Sequence, residues 1–468
     1  METHGGVSIG IDVALVHPPL ETGDVKKLDI CTPPIGLAYI GAYLRQHGHR
    51  VRIIDAEVER LNLKQIAEKV KDACLVGITT TAPIYNSALE LANTIKRLNN
   101  KTKVVFGGPQ ATFLDNESLE RSSADAVVRG EGELTMQEIA SSLESDSSSS
   151  MHGIEGITYK DADSIVRNPD RELISNLDDI PFPARDLLPM ERYTPTDSTG
   201  VVSSRGCPFR CIFCASSKLY NKKFRSRSAQ NVFEEVAELV GRGYKNVTML
   251  DDNFILNKER AFKFADLVDE HHLKFEWSCT GRVDSIDEDL LHRLREIGCN
   301  GLFFGIESAS DETLKLIKKG FTAEQVADTF DVLKNYDIPT TASFMLGLPG
   351  DDARKVADTI DLAKKIDPDF AMFSVTTPYP GTELYEHIDR YDLEITLRDW
   401  SEFTLTRPVV RTSALSTKDL RRWFMKAYFS FYVRPSYLRR AFAKHQLGFV
   451  LSPLKNAITS AIRGSFAR

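Results

Sequence analysis

The chain is poor in cysteine, with seven in 468 residues. That is too sparse for a disulfide scaffold. It has no run of 18 uninterrupted apolar residues, so no segment reads as a membrane-spanning helix. Met1 to Gly10 lacks the apolar core of a secretory leader, and the expected location is the cytoplasm. An excess of positive charge is missing too. Lys plus Arg number 59 against 66 Asp plus Glu, a formal net charge of −7. A mildly acidic chain is a poor general candidate for binding nucleic acid, and none is expected as a partner.

What is present is globular composition, 42% hydrophobic and 27% charged. This excludes collagenous, wholly disordered and membrane-array classes. At about 150 residues per domain the length implies two to four domains. The expected fold class is α/β. Residues 8–145 alternate strand-like and helix-like segments, which predicts a doubly wound, Rossmann-like parallel sheet. Residues 146–196 read as a linker with a hairpin, Ser141 to Ser150 being serine-rich. Residues 197–400 carry six strand–helix repeats, fewer than the eight that close a full barrel, and read as a partial (β/α)6 barrel. Residues 401–468 form a basic, aromatic helical region.

Ligands of doubly wound sheets bind beyond the carboxyl ends of the strands. In the first domain those ends carry His17-Pro18-Pro19, Thr79-Thr80-Thr81, Gly107-Gly108-Pro109 and Gly130-Glu131-Gly132-Glu133. They are small, polar or rigid, and the glycines allow close approach to the backbone. Four such turns on one sheet edge point to a ligand face.

The decisive segment follows the first predicted barrel strand, Val201 to Ser204. Cys207, Cys211 and Cys214 are spaced C-x3-C-x2-C. Three thiolates on one short loop suit three irons of a cubic iron–sulfur cluster, which usually takes four cysteine ligands. The fourth iron is then free to bind something else. Zinc would want a fourth ligand, and His152 and His271 are distant in sequence. An electron-carrier cluster would need a fourth cysteine, for which Cys279 and Cys299 are the candidates. Those two, with Cys31 and Cys74, otherwise read as small buried hydrophobes.

With these motifs the chain resembles the radical S-adenosylmethionine (SAM) superfamily, and within it the subgroup with an N-terminal cobalamin-binding domain. The resemblance covers roughly residues 8–400. It implies that Cys207, Cys211 and Cys214 ligate a 4Fe-4S cluster and that Phe213 packs near the SAM adenine. Asp251-Asp252-Asn253 stand where the superfamily often has Gly-Gly-Glu for the SAM amino group. Arg282 would pair with the SAM carboxylate and Glu307 would contact the ribose. Gly347, in Phe344-Met345-Leu346-Gly347-Leu348-Pro349-Gly350, would lie on the adenine side. Pro18, Thr79, Thr80, Gly107, Gly108, Pro109 and Glu131 would cradle cobalamin. The D-x-H-x-x-G motif of older cobalamin enzymes is absent, and His17 reads as a loop residue.

The activity so implied is C-methylation of an unactivated carbon, through a 5′-deoxyadenosyl radical and methylcobalamin. The substrate would be a protein side chain or a lipid, and the electron donor a flavodoxin or ferredoxin. A radical SAM cyclase or oxidase is the alternative, and a non-enzymatic iron–sulfur scaffold a weaker one. A transfer-RNA methylthiotransferase would want three further N-terminal cysteines, where this chain has only Cys31 and Cys74.

Residues 418–468 hold eleven Lys or Arg against one acidic residue, Asp419. Trp423, Phe424, Tyr428, Phe429, Phe431, Tyr432, Tyr437 and Phe442 are interleaved with them. The pattern suits either helices capping the barrel or a surface that meets a membrane, lipid or acidic partner. Membrane association would follow from the second.

Overall fold

The computed structural model describes residues 10–20, 32–144 and 151–443. They fall into two compact units divided between Thr196 and Asp197.

The first unit is a seven-stranded sheet. Its strands are β1 (Asp12–His17), β2 (Arg50–Asp55), β3 (Leu75–Thr79), β4 (Lys103–Gly107), β5 (Ala126–Val128), β6 (Ile157–Asp161) and β7 (Ser164–Arg167), in the order β2-β1-β3-β4-β5-β6-β7. The first five are parallel. Val13, Ala14, Leu15 and Val16 are all buried, as in a strand covered on both faces. The chain order reverses between β1 and β3, the switch point at which such sheets hold ligands.

Two expectations need correction here. The hairpin read as part of a linker belongs to the sheet, because β6 pairs antiparallel with β5 and buries Ile157 and Tyr159. An exposed β5 edge would leave backbone groups unpaired. The serine-rich segment is not linker throughout. A helix covers Glu133–Glu144, including Ser141 and Ser142, and residues 145–150 lie outside the described residues.

The second unit is built on β8 (Ser198–Val201), β11 (Asn246–Met249), β12 (Glu276–Gly281), β13 (Cys299–Glu307), β14 (Thr340–Leu346) and β15 (Phe370–Val375). Two short strands, β9 (Ser204–Arg205) and β10 (Arg225–Ser226), pair apart from them. The six-stranded sheet runs β8-β11-β12-β13-β14-β15, all parallel. A monotonic order with right-handed crossovers puts every connecting helix on one face. That face is apolar and buried, with Met249, Trp277, Phe304, Phe344 and Phe373. The first barrel strand ends three residues earlier than expected. The N–H groups of Ser203 and Ser204 donate to the Asp251 carboxylate instead of a ladder.

The aromatic C-terminal region closes the β15 edge. In the helix Thr417–Tyr432, the Tyr432 hydroxyl accepts from Ala371 N–H and donates to Ala371 C=O, at 3.1 and 2.8 Å. Tyr428 does the same for Phe373, at 3.3 and 3.1 Å. Phe424, Phe431, Tyr432 and Tyr437 are buried and so are not available to a membrane surface, while Phe429 and Phe442 stay exposed. Among the described residues no helix is long and apolar enough to cross a membrane. Residues 444–468 lie outside them.

Candidate active site

The cysteine loop is set by its two ends. Pairing of β9 with β10 closes it, and Gly206 starts it at a φ of +84°. Its middle is pinned through the buried Ile212, whose N–H donates to Ile317 C=O and whose C=O accepts from Leu384 N–H. Cys207, Cys211 and Cys214 are half-buried free thiols on this loop. Burial pushes Cys214 up to about 11 and Cys207 upward as well, so ligation must displace protons. Among the described residues no three His, Cys, Asp or Glu side chains are grouped to hold one metal ion. Three free thiols on one eight-residue loop, with no fourth cysteine on it, are a donor set that fits three irons of a cubic cluster and leaves one iron to an outside ligand.

The segment after β11 divides its work. Asp252 is exposed and accepts from Ser216 Oγ at 2.5 Å, two residues past Cys214. Its negative charge reaches both Cys207 and Cys214, a suitable place for an ammonium group. Asp251 departs from the SAM contact expected of it. Its carboxylate is buried and accepts from Ser203 N–H, Ser203 Oγ and Ser204 N–H, at 2.8, 2.5 and 2.5 Å. Arg260 reinforces this knot through Ser203 C=O at 2.7 Å. The neighbouring Asn253 is 1% exposed, and neither end of its amide has a partner in the described chain.

Arg282 is also occupied. Its guanidinium donates twice to Asp284, at 2.9 and 2.8 Å, and once to Lys319 C=O at 2.7 Å. It lies 3.6 Å from the ring centre of Phe209, inside the cysteine loop. The geometry makes it a brace between β12 and that loop rather than an open carboxylate receptor.

Glu307 ends β13 at a φ of +75°, where the ladder shifts register. A non-glycine residue in that region is strained and persists only when its surroundings hold it. Lys319 does so, with Nζ 2.9 Å from Glu307 Oε1 and both side chains under 10% exposed. A Cβ on Gly305 would stand 2.5 Å from Glu307 Oε1 and 2.9 Å from Lys319 Nζ, so a side chain there would push this pair aside. Lys319 also lies 5.6 Å from the Phe213 ring centre, which brings Phe213 to the same cluster of groups. Lys319, Phe209 and Asp284 escaped the sequence reading; Lys319, in Lys318-Lys319-Gly320, looks like any solvated basic pair. Gly347 sits at a tight turn after β14, at a φ of +78°. Its missing Cβ makes room for Leu420, which one would approach to 2.7 Å, and its N–H donates to Asp351.

In the first unit, Thr80 is fully used in joining strand ends. Its Oγ donates to Gly107 C=O at 2.7 Å and accepts from Ala111 N–H at 2.9 Å. A Cβ on Gly108 would meet Thr80 C=O at 2.6 Å, whereas one on Gly107 would meet nothing within 4 Å. Of the two glycines, Gly107 has the open side. Thr79 is half-buried, Pro18 buried and Pro109 exposed, and Glu131 accepts from Ile174 N–H at 2.9 Å. His17 is the last residue of β1 rather than a loop residue. Its Nδ1 lies 3.1 Å from Asp55, which also accepts from the Tyr193 hydroxyl at 2.9 Å. The open side of Gly107 and the exposed Pro109 leave the end of β4 free for a ligand held through backbone, as a flat macrocycle would be.

A doubly wound α/β unit, followed by a partial barrel with a three-thiol loop, defines a class. The chain matches the Radical SAM superfamily model over residues 201–363 and the B12 binding domain model over residues 22–140. It belongs to the B12-binding radical SAM family. It is 38% identical over 457 residues to the uncharacterized methyltransferase PH0819 of Pyrococcus horikoshii, covering 96% of this chain and 98% of that one. It is 26% identical to the anaerobic magnesium-protoporphyrin IX monomethyl ester cyclase of Rubrivivax gelatinosus, over 97% of this chain and 83% of the cyclase. In fold it is similar to the radical SAM methyltransferase TsrM of Kitasatospora setae, solved with cobalamin and a 4Fe-4S cluster. The TM-score is 0.70 at 19% identity, covering 89% and 85% of the two chains.

Proposed function

We propose that this chain is a cobalamin-dependent radical SAM methyltransferase acting on an unactivated carbon. The observation that carries the reading is the cysteine loop: three free thiols on a closed loop, and no fourth cysteine on it. Similarity to PH0819 over nearly its whole length supports transfer of a methyl group as the outcome. When bound, the cluster, SAM and cobalamin supply electron transfer, hydrogen abstraction and methyl carriage.

The chain's own residues bind and orient. Cys207, Cys211 and Cys214 hold the cluster. Asp252 offers a carboxylate to the SAM ammonium, while Glu307, fixed by Lys319, presents its backbone and carboxylate at the end of β13. Phe213 shields one side of that site. Arg282 holds the cysteine loop in place through Phe209. In the first unit the β1, β3 and β4 ends, with Gly107 as the open position, take cobalamin. A flavodoxin- or ferredoxin-type reductant serves the cluster, and the substrate is a protein side chain or a lipid.

The test is anaerobic reconstitution with iron, sulfide, cobalamin and SAM carrying a deuterated methyl group. Dithionite should release 5′-deoxyadenosine, and the label should enter a product in extracts of the source cells. Replacing Cys207, Cys211 or Cys214 by alanine should abolish both, while Cys74→Ala should leave both. Resemblance to the cyclases favours ring formation as the second reading, and a product formed without label would select it.

A further inference from the structure

The face of the barrel sheet away from the helices is unlike the packed interior of a closed barrel. Closed barrels fill that space with bulky branched residues. Here the inner positions include Thr248, Ser278, Thr280, Thr341, Ser343 and Ser374, with Gly200, Gly301 and Gly305 among them and the larger Phe303 and Met345 beside them. The ladders set these side by side: Thr248 opposite Ser278, Phe303 opposite Thr341, and Ser343 opposite Met372. Two apolar side chains on this face stay open, Leu250 at 46% and Met372 at 50% exposed.

Charge is confined to the rims. At the amino end of the strands Glu276 is exposed and held by Asn300 at 2.8 Å. At the carboxyl end Arg282 is matched by Asp284 and Lys319 by Glu307. Between the rims no inner position carries a charge. Several hydroxyls are engaged, Ser278 with Thr248 and Thr280 with Asp251 C=O. Those of Thr341 and Ser343 make no hydrogen bond among the described residues.

We propose that the substrate presents an uncharged, largely apolar body to this face, with hydroxyl or carbonyl groups as its polar contacts, and that Thr341, Ser343 and Met372 set this selectivity. An ion brought here would lose hydration and find no opposite charge to replace it. Free hydroxyls can serve a neutral polar group at no such cost. The charged ends of SAM are met at the carboxyl rim, by Asp252 among others. The inference rests on the methyltransferase reading and narrows its substrate to neutral, lipid-like molecules rather than phosphates, carboxylates or charged side chains.

The test uses the full-length protein, reconstituted with cluster and cobalamin, and two fluorescent probes sharing one ring skeleton. N-phenyl-1-naphthylamine is neutral, and 8-anilino-1-naphthalenesulfonate is its anionic counterpart. Binding at this face is the signal that Ser343→Phe removes. The neutral probe should bind there at least tenfold more tightly than the anion. Met372→Lys, at a half-exposed position that tolerates a long side chain, should cut that ratio at least tenfold. Equal or tighter binding of the anion, no loss of neutral-probe signal in Ser343→Phe, or no shift of the ratio in Met372→Lys would overturn the proposal. Deoxyadenosine release from SAM is followed in the same samples. Its absence with the probe ratio intact would sink the enzymatic reading and leave the character of this face standing.

Discussion

Replacing Lys319 by methionine keeps the length of the side chain and removes the charge that faces Glu307. Both partners are under 10% exposed and 2.9 Å apart. Breaking a buried pair from one side leaves the other charge uncompensated, which costs about 3–5 kcal/mol. Glu307 has little freedom to escape, since its backbone is held at a φ of +75° and Gly305 packs below its carboxylate. At roughly 2–4 °C per kcal/mol, the melting temperature of the second unit should fall by about 6–20 °C. Adding Glu307→Gln removes the orphaned charge and should restore most of the loss. Urea unfolding of the two single variants and the double one measures this directly. A Lys319→Met loss below about 1 kcal/mol, the range of exposed pairs, with no recovery in the double variant, would refute the reasoning.

Other expectations follow from single contacts. Tyr432→Phe and Tyr428→Phe each strip a hydroxyl that serves both backbone groups of a β15 residue. Each should cost about 1–3 kcal/mol and speed proteolysis near the C-terminal helix, as read by limited trypsin digestion. Arg282→Lys should keep the charge but lose the paired contact with Asp284 and the stacking on Phe209. Weaker retention of iron on gel filtration, at unchanged melting temperature of the first unit, is the expected result. Burial raises the Asp351 carboxyl from 3.8 to about 7. Its folded pKa lies above its unfolded one, so stability present below pH 3.8 is lost as pH rises toward about 7, by at most about 4 kcal/mol. Asp351→Asn, which can still accept from Gly347 and Leu348, should flatten that part of a melting-temperature profile against pH.

Much of this protein was legible in its one-dimensional pattern. Strand β14 at Thr340–Leu346 and the helix Tyr85–Leu98 lie where their apolar periodicities put them, because each alternation is a property of neighbouring residues. The C-x3-C-x2-C spacing was equally local, since three thiols on eight residues need only a turn to converge. The hairpin at Ile157–Arg167 was seen as a hairpin, but its place beside β5 was not. Pairing across a gap of about thirty residues leaves no periodic trace.

The sequence by itself determined the class: two α/β patterns in series, and a thiol trio at the mouth of the second. Only the tertiary structure decided which polar residues are available for chemistry. Asp251 and Asp252 are adjacent in the chain, yet one is locked on Ser203 and Ser204 and the other stands beside the cysteines. Lys319 gained its role from Glu307 twelve residues away, and the missing Cβ of Gly347 makes room for Leu420. The physical reason is common to all of them. A charge or a missing Cβ takes its meaning from what fills the space around it, and that space is enclosed by elements far apart in the chain.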